Sequence, residues 1–218
     1  MNKLVVVTMK KIIIGLLVLA ALFSYGCANR MLAAQMFKEE VNALKQGVIK
    51  NPNDAEAHHR LGLLNNRIMR YQEAIQSLEE ARRLSPESAE IHTSLGIAYK
   101  NRSRYQKAIA SFKEAIRINP DYAEAYKRLG YTYGELGQYR EVIVPLNEVI
   151  RIEPDNAEAH YWLGSAYEQL ERRTEAIAEY RETLRIDPKS TLARNSLREI
   201  GATTTPINKT IPAPSSKQ

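Results

Sequence analysis

The chain has 218 residues, 44% hydrophobic and 26% charged, with 12 Tyr, one cysteine and a formal net charge of +6. Its length suits one domain, or a repeat array behaving as one, and its lone cysteine excludes an intrachain disulfide and a cysteine-based metal site. Three of the positive charges, Lys3, Lys10 and Lys11, fall in an acid-free stretch of 26 residues, leaving +3 elsewhere; with no basic stripe interleaved with aromatics, nucleic acid is not an expected partner.

The first element is apolar. Lys10 and Lys11 precede a run from Ile12 to Phe23, then Ser24-Tyr25-Gly26-Cys27. A charged start, a short apolar run and a small residue before a cleavage point predict a secretory signal, and the run is shorter than the ~20 residues of a membrane span. A start at Met9 would make that signal more compact. Its end resembles a bacterial lipoprotein signal. Gly26 and Cys27 match the two most constrained positions, whereas Ser24 and Tyr25 depart from the commonest choices. The resemblance implies a signal peptide over 1–26 and a lipidated Cys27 (palmitate among its acyl chains). Several chains suffice for stable anchoring, with the protein facing the periplasm. Ala28 after Cys27 points to the outer membrane. The open alternatives are a cleaved signal with a free Cys27 and an uncleaved anchor.

Within 27–52, Phe37, Val41, Leu44 and Val48 recur at helical spacing and predict an amphipathic helix over about 31–50. It reads as an N-terminal cap that packs like the second helix of a repeat. Next comes a period. Leu-Gly pairs stand at Leu61-Gly62, Leu95-Gly96, Leu129-Gly130 and Leu163-Gly164, each 34 residues after the last. Pro52, Pro86, Pro120, Pro154 and Pro188 keep the same step. Such self-similarity predicts a stacked-repeat architecture.

The pattern resembles the tetratricopeptide repeat, a helix-turn-helix unit. In the third repeat the signature reads Tyr126, Leu129-Gly130, Tyr133, Val142, Leu146, Val149, Pro154; the first departs from it at Asn65, where an aromatic is expected. The resemblance implies an all-α, right-handed superhelical solenoid with units at 53–86, 87–120, 121–154 and 155–188. Asn53, Asp121 and Asp155 each precede a Glu by three residues (Glu56, Glu124, Glu158), the spacing of a capping box. Pro145 falls inside a predicted helix, where proline costs about 3 kcal/mol; a bend or a partner contact would account for it. A C-terminal cap is expected over 189–200 with Leu192, Leu197 and Ile200, and 201–218, rich in Thr, Pro, Ser and Lys, is expected to be disordered.

No Ser/His/Asp arrangement, phosphate loop or paired carboxylates stand out, and His58, His92 and His160 share one repeat position that reads as packing. The protein is therefore expected to bind rather than catalyse, with no cofactor and no metal. The resemblance implies that the first helices of the units line a concave groove for extended peptides or partner helices. Its predicted lining is His59, Leu63, Asn66, Thr93, Ile97, Asn101, Lys127, Tyr131 and Tyr161, beside Glu56, Glu90, Glu124 and Glu158. Leu63, Ile97 and Tyr131 would form an apolar stripe, the mark of an interaction site; the alternative is that they pack the next repeat. Two functions follow: a membrane-anchored adaptor that recruits proteins of an envelope machine, such as a pilus, secretion or cell-wall apparatus, or a self-associating assembly factor.

Overall fold

A computed structural model describes residue 35 and residues 37–202. The predicted signal, Cys27 and the tail from residue 203 lie outside them. All regular elements among the described residues are helices. Residues 37–50 form α1, followed by α2 (Ala55–Arg67), α3 (Tyr71–Leu84), α4 (Ala89–Asn101), α5 (Tyr105–Ile118), α6 (Ala123–Glu135), α7 (Tyr139–Ile152), α8 (Ala157–Gln169), α9 (Arg173–Ile186) and α10 (Thr191–Glu199). Each unit pairs a first helix (α2, α4, α6, α8) with a second (α3, α5, α7, α9), and each second helix packs on the next unit's first. This is the all-α solenoid that the resemblance to the tetratricopeptide repeat implies.

The helices start one residue later than the capping-box reading placed them. The capping side chains are Asp54, Ser88 and Asn156, which accept from the amides of Ala57, Ile91 and Ala159, and Ser190 does the same for Ala193 in α10. Asp121 and Asp155 take another role. Each accepts from an arginine thirty residues on, Arg151 at 2.7 Å and Arg185 at 2.8 Å; Glu87 meets Arg117 at 3.4 Å in the same way. Every such arginine also holds a glutamate three residues back, Glu114, Glu148 or Glu182. The start and end of one unit are thus clasped together. In the first unit Asn53 replaces the acid, and Arg83 holds Glu80 alone. These clasps are exposed and screened by solvent, so they orient the ends of a unit more than they stabilise the fold.

The two helices of a unit approach at the Leu-Gly glycine. Gly62, Gly96, Gly130 and Gly164 sit against Leu78, Phe112, Leu146 and Tyr180, where an added Cβ would fall 2.5–2.9 Å from the nearest side-chain atom. All four partners are almost wholly buried. Pro145 belongs to this interface: it is buried in a continuous α7, its Cβ 3.7 Å from the Cβ position of Gly130. It packs within its own unit, and the partner-contact reading falls away.

The turn within each unit ends the first helix in one way. Residues 69, 103, 137 and 171 take φ of 62°, 57°, 69° and 59°, and the following amides return to carbonyls at Asn65, Tyr99, Tyr133 and Tyr167, which is a Schellman ending. Only Gly137 suits that conformation. The left-handed region costs a side chain with a Cβ roughly 1–2 kcal/mol. Met69 is 73% exposed and contributes little packing to offset this. Met69→Gly is therefore expected to stabilise the protein by about 1 kcal/mol, read as a rise in Tm; an unchanged or lower Tm would refute it.

Position four of the first helix closes the joint between units. His58, His92 and His160 place Nε2 at 3.0, 2.8 and 3.3 Å from the carbonyls of Pro52, Pro86 and Pro154, and Arg194 donates to Pro188 at the same step. His160 also sets Nδ1 2.7 Å from the Glu179 carboxylate. Burial opposes its protonation, but the Glu179 hydrogen bond and charge, with the Pro154 carbonyl, outweigh this and raise its pKa above 6.5. The folded pKa exceeds the unfolded one, so this stabilisation is complete below about pH 6.5 and is lost as pH rises through the folded value. Wild type should lose more Tm between pH 6 and pH 8 than His160→Tyr does. Parallel pH profiles would show that the pair carries no such linkage.

The ends differ from the middle. Around α1, Val41, Leu61 and Leu64 form a small cluster with Phe37, Leu44 and Val48. Asn65 is only 1% exposed there, and neither amide atom finds a hydrogen-bond partner. It stands where the other units place Tyr99, Tyr133 and Tyr167. In α10, Ala193 and Leu197 are buried but Leu192, an expected core residue of the cap, is 60% exposed. The helix is capped by Ser190 and begins at Thr191, which turns residue 192 to the side used by Glu158 one unit earlier.

Candidate inner-face binding site

The first helices touch one another from unit to unit, α2 to α4 to α6 to α8. That contact sets them on the inner wall of the solenoid, where their side chains form the candidate site.

Position five does not reach the surface in the first two units. His59 is 7% exposed, and its Nε2 lies 2.9 Å from the Ser94 hydroxyl on the neighbouring helix. Thr93 is 3% exposed. Both serve the stacking of units and are removed from the predicted lining. In the third unit Lys127 sits 2.7 Å from Glu124, which Arg128 also holds at 2.6 Å. Burial opposes ionisation of Glu124, but these two hydrogen bonds outweigh it and hold its pKa below the ordinary value. Asn101 donates to Asn66 at 3.0 Å, linking two units across the wall.

The apolar stripe divides between floor and core. Leu63 is 44% exposed. Ile97 is half-buried against the cluster of the first two units, and Tyr131 against that of the last two. The Tyr131 hydroxyl is buried beside Glu158 without a well-formed hydrogen bond; burial first, then the Glu158 charge, pushes its pKa up. Packing and display are thus not exclusive at these positions.

Sequence reasoning missed Trp162. This indole is 44% exposed, with ring centroids 5.4 Å from Tyr131 and 5.6 Å from Tyr161, and Tyr161 in turn lies 5.7 Å from the buried Tyr180. An aromatic ledge therefore continues the stripe from Tyr131 into α8. The signal was available: the equivalent positions are Arg60, Ser94 and Arg128, so the sole tryptophan breaks a polar row.

Comparison with known proteins agrees with this geometry. The TPR repeat family matches residues 70–103, 98–137 and 132–171, and the tetratricopeptide repeat matches 157–190. A solved MamA structure is 31% identical, covering 70% of this chain and 90% of its own, with a TM-score of 0.67. MamA from Desulfovibrio magneticus RS-1 is 25% identical, covering 67% of this chain and 83% of its own, with a TM-score of 0.64. YrrB, described as a TPR protein with an unusual peptide-binding site, shares the fold at 21% identity and a TM-score of 0.65, covering 78% of this chain and 88% of its own. No curated protein matches the chain in sequence. The period, the stacked helix pairs and these matches lead to one conclusion: the chain belongs to the tetratricopeptide repeat family.

Proposed function

We propose that this protein is a scaffold that captures segments of partner proteins on its inner face, held at a bacterial envelope membrane by lipid on Cys27 and facing the periplasm. The observation that carries the binding half is the stripe from Leu63 through Ile97 and Tyr131 to Trp162, with 44% of both Leu63 and Trp162 open to solvent. Interfaces favour such aromatic anchors in a polar setting. The peptide-binding site named for YrrB supports the same use of the fold. The anchoring half rests on the Gly26-Cys27 motif behind its apolar run, and Ala28 favours the outer membrane. The role is assembly or recruitment within an envelope machine rather than catalysis.

Photo-crosslinking in cells from a reactive residue at position 63, followed by mass identification, tests the binding half. A distinct envelope protein trapped there supports the adaptor; no adduct refutes the stripe. Cys27→Ala should move the protein out of the membrane fraction, and its retention would refute the lipid anchor. Self-association is the second reading. Ile49 on α1 and Leu192 on α10 are 70% and 60% exposed near opposite ends of the array, the arrangement a head-to-tail contact uses. Only self-adducts from position 63, with a sedimenting oligomer, would favour it.

A further inference from the structure

The units are copies of one pattern, so a difference between equivalent positions carries information. In the fourth unit both ring nitrogens of His160 are satisfied, Nε2 by the Pro154 carbonyl and Nδ1 by the Glu179 carboxylate at 2.7 Å. In the second unit His92 holds the same position, 7% exposed, with Nε2 2.8 Å from the Pro86 carbonyl. A carbonyl oxygen only accepts, so Nε2 carries hydrogen, and Nδ1 is left to face a partner. Nothing among the described residues provides one. The residue equivalent to Glu179 is Ser111, whose hydroxyl turns back to the Lys107 carbonyl at 2.9 Å.

A cleft of about 400 Å³ stands where the carboxylate would be. It opens between α3 and α5 over α4, with His92, Tyr99 and Ser111 among its lining and Arg82 and Lys107 on opposite helices. It shares no residue with the inner stripe. Its own acids are engaged: Glu79 accepts the Tyr99 hydroxyl at 2.5 Å, and Glu114 is held by Arg117 at 2.9 Å. Arg82 and Lys107 form no ion pair among the described residues, and Lys107 instead lies 5.5 Å from the Tyr99 ring centroid. Glu79 keeps its negative charge in that bond and Glu114 is offset by Arg117, so the two cations Arg82 and Lys107 outnumber the one acid of the cleft left without a cation among the described residues.

We propose that this cleft is a second docking site, which receives an Asp or Glu side chain of a partner protein between Arg82 and Lys107, with His92 taking up a proton on Nδ1 as it binds so that Nδ1 donates to the carboxylate. The fourth unit shows the same contact satisfied from within the chain. Charge-assisted hydrogen bonds of this kind are about twice as strong as neutral ones. Binding here would leave the inner stripe free for another segment, so one unit could hold two parts of a partner.

The test is the ring nitrogen spectrum of His92 in the purified protein during titration with a blocked peptide of alternating Glu and Gly. Glutarate at equal carboxylate concentration is the control. The expected result is a saturable shift of the His92 signals, at least tenfold weaker in Arg82→Ala/Lys107→Ala and absent in Ser111→Glu, which fills the cleft from within. If the double variant does not fold, Lys107→Ala alone replaces it and should weaken binding severalfold. Three results would overturn the proposal: no shift at saturating peptide, glutarate acting as strongly as the peptide (an adventitious ion only), or undiminished binding in a folded Ser111→Glu.

Discussion

Gly130→Trp is expected to abolish the cooperative thermal transition of the protein, and Gly96→Trp to do so as fully. At Gly96 even a Cβ would fall 2.5 Å from Phe112 Cε1 and 2.8 Å from Cδ1, and at Gly130 it would fall 2.9 Å from Leu146 Cδ2. Carbon contacts are favourable near 3.5–4.0 Å, and forcing single methylenes into a filled core costs about 1–3 kcal/mol. An indole is many times larger, and the whole stability of a domain is roughly 5–15 kcal/mol. The damage also spreads, because no unit buries its apolar face alone. Circular dichroism on heating reads the result. Alanine variants separate clash from mere substitution. Alanine favours a helix over glycine by about 1 kcal/mol. Leu146 can swing its methyl aside, so Gly130→Ala should sit near wild type. Phe112 is rigid and fully buried, so Gly96→Ala should lose about 1–3 kcal/mol. A Gly96→Ala protein as stable as wild type would show that this approach does not set the helix spacing.

The second large effect is on capture. Trp162→Ala should weaken binding of the crosslinked partner about thirtyfold, the equivalent of roughly 2 kcal/mol for a central aromatic anchor. Its Tm should move little, because nearly half the side chain is in solvent and what it loses is contact with Tyr131 and Tyr161. Leu63→Ser should act in the same direction at the other end of the stripe. Ile97→Ser and Tyr131→Ala are poorer probes, since both side chains also pack against the core. If partner affinity survives in both Trp162→Ala and Leu63→Ser, the inner face is not the capture surface.

The architecture was legible because its determinants repeat. A Leu-Gly pair and a Pro every 34 residues fix where helices meet and where they stop, whatever the rest of the unit does. The capping residues were misplaced by one, since Asp54 and Asp121 belong to different repeat positions and look alike in a single chain. Only the backbone shows that residue 54 faces an amide while residue 121 faces Arg151. Burial on the inner face was harder still. His59 and Thr93 lie on the inner wall by helical spacing, yet the neighbouring unit covers them. That is a property of how units stack, set by pairs such as His59 and Ser94 that stand 35 residues apart. Trp162 escaped notice because the family signature assigns its position no role, although its contrast with Arg60, Ser94 and Arg128 marked it.

The arginine clasps have a consequence for how such a chain can change length. Arg117 with Glu87, Arg151 with Asp121 and Arg185 with Asp155 each join the two ends of one 34-residue segment and reach into no neighbour. A segment that is duplicated or lost carries both of its charges with it, and no stranded arginine is left behind. Growth by whole copies thus leaves every clasp of the remaining units closed. The array can lengthen or shorten its inner wall in steps of one unit without breaking a clasp, and only the joints between units, such as His59 with Ser94 and Lys100 with Glu135, have to be rematched.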